Sequence, residues 1–273
     1  MSEHRNRTPE DLAGAAAAAD CVVQTHQRLA DYLRPGLTLA EIDRFVAETL
    51  DRLHCKSCFL GYRVPRSPAF PSHACLSVND CVVHGTAGYR AEPIVEGDVV
   101  KIDIGVLHEG WIGDAAWTYF MGEPDDERSR LRAAGRAGIR AGVEALQPGA
   151  PLLDWARAVQ GCVEDEHGLH LVRGLGGHGY GRRMHEPPWI SNVVPAQFGE
   201  WTEAQTKLEP GMLLAVEPML AIGTGQTKPS RGQWPIFMAD GSLSAHYEHD
   251  VLITEDGPKV LTAGLEEIGD IIR

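Results

Sequence analysis

A short phrase occurs twice in this chain, and each copy ends on a carboxylate. Gly97-Asp98-Val99-Val100-Lys101-Ile102 leads into Asp103, and Gly211-Met212-Leu213-Leu214-Ala215-Val216 leads into Glu217, 114 positions later. A glycine turn feeding an apolar run that stops on an acid is unfavourable alone, because a carboxylate beside a core loses its hydration. Two such strands, one per half of a duplicated fold, would offset that cost if both acids converged on a shared cation. Helix signals repeat at nearly the same interval. Thr8-Pro9-Glu10-Asp11 reads as an N-cap, a proline at the first helical position and acids in the first turn, predicting a helix through about Leu33. Arg34-Pro35-Gly36 stops it, and Thr38 with Glu41 forms a capping box that opens a second helix to about Leu53. In the second half a helix from about Glu127 to Leu146, the stop Gln147-Pro148-Gly149 and a helix from about Leu152 to Glu166 follow, the two stops lying 113 positions apart. The expected fold is α+β with two pseudo-symmetric halves, with short strands and loops between each helix pair and its acidic strand.

At 273 residues and 43% hydrophobic content the chain can bury one large core. Residues 1–9 read as a polar, disordered tail and residues 10–273 as a single domain without a linker. A formal charge of -13 argues against nucleic acid or an anionic membrane as partner, since neutralising phosphates takes clustered Lys and Arg. Ala15 to Ala19 is a helix-forming tract too short to span a membrane, and no signal peptide is legible, so the expected location is cytoplasmic. Six scattered cysteines suit reduced thiols. Cys55-Lys56-Ser57-Cys58 matches a CxxC, but no second CxxC or ligand-spaced histidine pair follows, and the two read as ordinary thiols. Gly174-Leu175-Gly176-Gly177-His178-Gly179 satisfies the dinucleotide pattern GxGxxG, yet Gly181, Pro187 and Pro188 forbid the helix that pattern needs.

In the run Val99 to Val106 the even positions Val100, Ile102, Ile104 and Val106 are apolar and Asp103 faces the other way. The run Trp111 to Phe120 carries Asp114, and His108-Glu109-Gly110 is a hairpin-turn signal that puts Asp103 and Asp114 opposite each other or one step off. Facing carboxylates repel, and a shared proton or a cation resolves this. Glu217 is expected in the related place, Glu248 precedes the apolar run Val251 to Ile253, and His178 supplies a nitrogen donor. Four carboxylates and one imidazole suit two divalent ions of the Mn, Fe, Co or Zn type rather than Ca. Two close ions imply a bridging hydroxide and hydrolysis.

These five residues stand among further segments in a fixed order: Val83-His84-Gly85, Ile102-Asp103-Ile104, Gly113-Asp114, Gly177-His178-Gly179-Tyr180-Gly181-Arg182, Met184-His185-Glu186, Glu209-Pro210-Gly211-Met212, Val216-Glu217-Pro218-Met219 and Tyr247-Glu248-His249. From about Thr8 to Thr262 the chain thereby resembles the methionine aminopeptidases of the pita-bread metallopeptidase family. With 39 positions between His178 and Glu217 it resembles type I, which lacks a helical insertion there. The resemblance implies a pita-bread fold whose pseudo-symmetric halves share a curved antiparallel sheet with helices on its outer face. It implies a metal-dependent methionyl aminopeptidase that removes the initiator methionine from nascent proteins and peptides when the second residue is small. By the same resemblance Asp103, Asp114, His178, Glu217 and Glu248 ligate two divalent ions, with Asp114 and Glu248 bridging. His84 and His185 are the non-ligand catalytic histidines, and Glu217 is the general base. Phe59, Tyr62, Phe70, Cys75, Met184 and Trp234 line the methionine pocket. The implied partners are peptide and nascent-chain N-termini, with transient ribosome contact. A pita-bread peptidase cleaving before proline, and a catalytically silent module that binds a protein, are the alternatives; the second is expected to have lost donors, and all five are present.

Overall fold

Thr8 accepts from the Asp11 N–H while Asp11 accepts from the Thr8 N–H, so the first helix, α1 (Pro9–Tyr32), begins at the predicted capping box with proline at its first position. The computed structural model of the chain describes residues 7–65, 67–197, 199–229 and 233–273. Of the expected tail, residues 1–6 lie outside the described residues, while Arg7 is fixed by bonds from its guanidinium to the carbonyls of Gly211 at 2.8 Å and Tyr180 at 3.0 Å. A second capping box, Thr38 with Glu41, opens α2 (Leu39–Arg52). In the second half Asp125 caps α3 (Asp126–Ala145), and α4 (Leu152–Gln160) follows. Where one regular helix to Glu166 is expected, α4 widens at Gly161 into a π-helical segment, Gly161–Glu166. Glycine resists such a change least, and Glu164 is tethered by accepting from the Leu171 N–H and pairing with Arg173.

Two five-stranded sheets carry the interior. In the first, the long strand Val99–His108 pairs antiparallel with Trp111–Met121 and with Cys75–Val78 and Lys56–Ser57, and Ile271–Ile272 joins the far edge in parallel. The second runs in the order Gly257–Val260, His249–Thr254, Leu213–Val216, Gly176–Gly179, Glu186–Ser191, all antiparallel. The sheets meet along a seam, where the Glu248 N–H donates to the Ala116 carbonyl at 2.9 Å and the Asp114 N–H to Asp250 Oδ2 at 2.9 Å. Val100, Ile102, Ile104 and Val106 are fully buried as their alternation predicts. Val99 and Lys101 on the opposite face are buried too, so the acid-bearing face is also covered.

The alanine tract of α1 has a packing reason. Ala15, Ala18 and Ala19 are fully buried, and a Cβ on Gly113 would stand 2.5 Å from the Ala18 carbonyl oxygen, so helix and hairpin approach with only small residues between them. The pseudo-dinucleotide run is explained in the same way. A Cβ on Gly177 would meet the Ala215 carbonyl oxygen at 2.2 Å and one on Gly176 the Ile190 carbonyl oxygen at 2.2 Å, so these glycines seat the His178 strand between its neighbours. The two acidic strands diverge at their ends. Val99–His108 continues five residues past Asp103, whereas Leu213–Val216 stops just before Glu217, because Pro218 supplies no N–H to prolong the ladder.

Candidate metal centre

Glu109 and Gly110, with φ of 47° and 84°, form a two-residue turn that pairs His108 with Trp111. That register sets Asp103 opposite Ala116 and Asp114 opposite Gly105. The two acids are therefore diagonal neighbours two positions apart on one face, rather than direct partners or one step off, because the turn takes two residues and fixes the pairing from its tip. Asp114 is 2% exposed, pinned at its N–H by Asp250.

The second sheet brings the remaining donors to the same face. His178 stands opposite Ala215, His249 opposite Val216, and Glu217 and Glu248 lie just beyond those paired ends. His178 Nδ1 is 3.1 Å from the Gly179 carbonyl oxygen, an acceptor, so Nδ1 carries the proton. The lone pair of Nε2 then faces the acids, 3.9 Å from Asp114 Oδ2 and 4.0 Å from Glu217 Oε1. Donor atoms of Asp114, His178 and Glu248 all lie within 4.8 Å of one another, as do those of Glu217, His246 and Glu248. Glu248 is common to both groups.

Carboxyls this close and this buried need shared protons or a compensating cation. Burial pushes the carboxyls of Asp103, Asp114, Glu217 and Glu248 well above the usual range, and the charge of a neighbouring carboxylate adds to it in each case. The Oδ1 atoms of Asp103 and Asp114 are buried without a hydrogen-bond partner. Orphaned carboxylate oxygens beside an aimed imidazole nitrogen fit divalent cations of borderline hardness, and the shifts of these four acids show no lysine or arginine among the described residues acting in place of one. All five expected donors converge here.

The expected histidines and pocket residues converge as well. A cavity of about 320 Å³ is lined by Phe59, Tyr62, Phe70, Cys75, His84, Met184, His185 and Trp234, and it opens on Asp103, Asp114, His178, Glu217 and Glu248. A neighbouring cavity of about 460 Å³ shares His84, Asp103, His178, His185 and Glu217 and leads outward past Gly174 and Trp189. His84 holds a φ of 57°, a left-handed backbone rare for a residue with a side chain, beside the edge of Trp234. Burial lowers His84 and His178 to about 4, with nearby His185 adding to the effect, so both rings are neutral. Tyr62 Oη is 2.7 Å from His185 Nδ1.

Sequence reasoning gave His246 no role. It is 2% exposed, its Nε2 lies 3.1 Å from Glu217 Oε2, and burial lowers it to about 3. A neutral ring facing a carboxylate oxygen is its donor, so His246 orients Glu217. The available signal was its spacing of two from Glu248, the period of residues on one face of an extended chain. Asp250, two further on, was missed in the same way.

Comparison with known proteins agrees with this architecture. A family model described as "Metallopeptidase family M24" matches residues 13–255. The chain is 34% identical over 246 residues to "Methionine aminopeptidase" of Aquifex aeolicus (strain VF5), covering 90% of this chain and 93% of that one. It is 34% identical over 256 residues to "Methionine aminopeptidase 1" of Bacillus subtilis (strain 168), covering 94% and 98%. Among solved structures, a methionine aminopeptidase from Thermotoga maritima superposes with a TM-score of 0.85 at 33% identity, over 94% of this chain and 98% of that chain.

Proposed function

The chain belongs to metallopeptidase family M24, and on that premise we propose that it removes the N-terminal methionine from peptides and nascent proteins whose second residue is small. One observation carries the reading: an apolar cavity that includes Met184 and Cys75 opens directly on the five-donor centre. The aromatic and sulfur-bearing walls suit a thioether, and the cavity ends within reach of the acids, so a residue seated there presents its α-amine and first peptide bond to them.

Asp103, Asp114, His178, Glu217 and Glu248 would hold two divalent ions, with Asp114 and Glu248 shared between them. When bound, such ions supply Lewis acidity for the scissile carbonyl and for the attacking water. The remaining chemistry belongs to the chain. Glu217, held at Oε2 by His246, takes a proton from the water and returns it to the leaving amine. With Tyr62 donating to Nδ1 of His185, the ring proton sits on Nε2, from which His185 donates to the developing oxyanion. His84, neutral and fixed by its backbone, receives the peptide N–H at a ring nitrogen. Phe59, Phe70 and Trp234 exclude water from the methionine side chain. No described helix is long and apolar enough to cross a membrane. A nascent-chain substrate would be met in the cytoplasm, with transient contact at the ribosome.

Free-methionine release from Met-Ala-Ser tests the proposal, with Met-Lys-Ser and Ala-Pro-Ala as comparators and metal-stripped protein reloaded with Mn(II) or Co(II). Metal-dependent release from Met-Ala-Ser alone is expected. Cleavage only of Ala-Pro-Ala would transfer the function to the proline peptidases, and metal uptake without turnover of any peptide would leave a binding module.

A further inference from the structure

The CxxC of the sequence is divided by the fold. Cys58 turns toward the carboxylate centre, where the charges of Asp114 and Asp250 act on it. Cys55 faces away, toward Cys21 of α1 and His108 at the hairpin end of the Val99–His108 strand. The two Sγ atoms and a ring nitrogen of His108 all lie within 4.8 Å of one another, and Cys55 Sγ is 3.5 Å from His108 Nδ1. Cys21 is 6% and Cys55 4% exposed, and His108 is half-buried, giving the group one solvent-facing side.

We propose that Cys21, Cys55 and His108 form a second metal site, separate from the carboxylate centre, that binds one Zn(II). Sulfur and imidazole donors favour zinc over the harder cations that suit the oxygen-rich centre. A tetrahedral zinc with Zn–S near 2.3 Å and Zn–N near 2.0 Å sets sulfur and nitrogen about 3.5 Å apart, and that is the Cys55–His108 separation. Two thiolates and a neutral imidazole leave the fourth tetrahedral position to solvent on the His108 side. Loading releases the thiol protons to solvent, because zinc takes the thiolate form.

The three donors come from elements far apart in the chain, so an ion there ties α1, the end of α2 and the hairpin tip together. The tie reaches the substrate cavity through four residues. Lys56 and Ser57 pair with the same strand as His108, the Cys58 N–H donates to the Gly105 carbonyl at 2.9 Å, and a Cβ on Gly105 would touch the Phe59 ring at 2.9 Å. Occupancy therefore braces Phe59, one wall of the cavity, without contacting substrate.

The test uses the full chain, reduced, stripped with chelator and reloaded with Co(II) as a visible stand-in for zinc. Wild-type protein is expected to show thiolate-to-cobalt charge-transfer absorption, and Asp114→Ala, with the carboxylate centre impaired, is expected to keep it. Cys55→Ser and Cys21→Ser are expected to lose the absorption and one bound ion per chain, with cobalt-dependent peptide hydrolysis retained. His108→Ala, which changes a half-buried residue and spares both thiols, is expected to shift the band and weaken binding tenfold or more. Wild-type protein without the band, or a band that persists in Cys55→Ser and so arises from another thiol such as Cys75, would overturn the proposal.

Discussion

His246→Ala separates holding the metal from using it. The ring sits 3.1 Å from Glu217 Oε2, with His246 buried and Glu217 largely so at the cavity wall. Its removal leaves a carboxylate oxygen without its donor. A hydrogen bond to a charged group contributes about 1.5–3 kcal/mol, and at about 1.4 kcal/mol per tenfold that is a factor of about 10 to 100. Partners that orient a metal ligand are worth about 10–100-fold in affinity by a separate route. The two figures agree, so the variant's midpoint for Mn(II) activation should rise by that factor, while turnover at saturating Mn(II) returns to within a few-fold of wild type. The assay is methionine release from Met-Ala-Ser across a Mn(II) titration of stripped protein, with calorimetric binding isotherms alongside. An unchanged midpoint together with collapsed turnover would refute the reasoning, because His246 would then act in the chemistry and not through Glu217.

Asp114→Ala should abolish turnover and strip metal from the carboxylate centre while the protein stays folded, since it removes a buried acid whose Oδ1 has no hydrogen-bond partner; metal analysis by mass spectrometry and circular dichroism check it. His185→Ala should lower kcat by about 10²–10³ with the metal content unchanged, the effect of losing one oxyanion donor. Loss of metal in that variant would show His185 to be a ligand. His26, whose ring nitrogens face Tyr119 Oη at 2.9 Å and the Ala115 carbonyl at 3.2 Å, is lowered by burial to about 4. A depressed histidine stabilises fully above its unfolded value near 6.5 and loses that contribution as pH falls toward about 4, here by about 3 kcal/mol at most. Urea titrations between those pH values should show a shallower loss of stability for His26→Gln than for wild type, and identical slopes would exclude the mechanism.

Local signals were legible and long-range ones were not. Caps at Thr8 and Thr38 are set by bonds three residues long, so the starts of α1 and α2 could be read directly. Asp103 and Glu217 stood out because a glycine turn and an apolar alternation lead into each. The diagonal placement of Asp103 and Asp114 was not legible, because one residue more or less in the turn moves the register and the sequence admits both. His246 meets Glu217 only across strands, and its spacing of two from Glu248 was the one local sign of its place. Phe59, Phe70 and Cys75 cannot be told from core residues by pattern; the resemblance singled them out, and the fold gathers them into one cluster. The CxxC was read as two ordinary thiols, and nothing in the chain signalled that the fold sets Cys55 beside Cys21 and His108.

The seam between the two sheets has a consequence for how the protein comes into being. The clustered acids run from Asp103 to Glu248, and the backbone bond from Glu248 to Ala116 joins residues 132 positions apart. Such long loops must close before their contacts return any stability, which slows folding. A chain emerging from synthesis can form the first hairpin early, but its two acids meet Glu217 and Glu248 only after the last strands arrive and dock. The centre is thus among the final parts to be assembled, and a partly made molecule carries the hairpin acids without a functioning site.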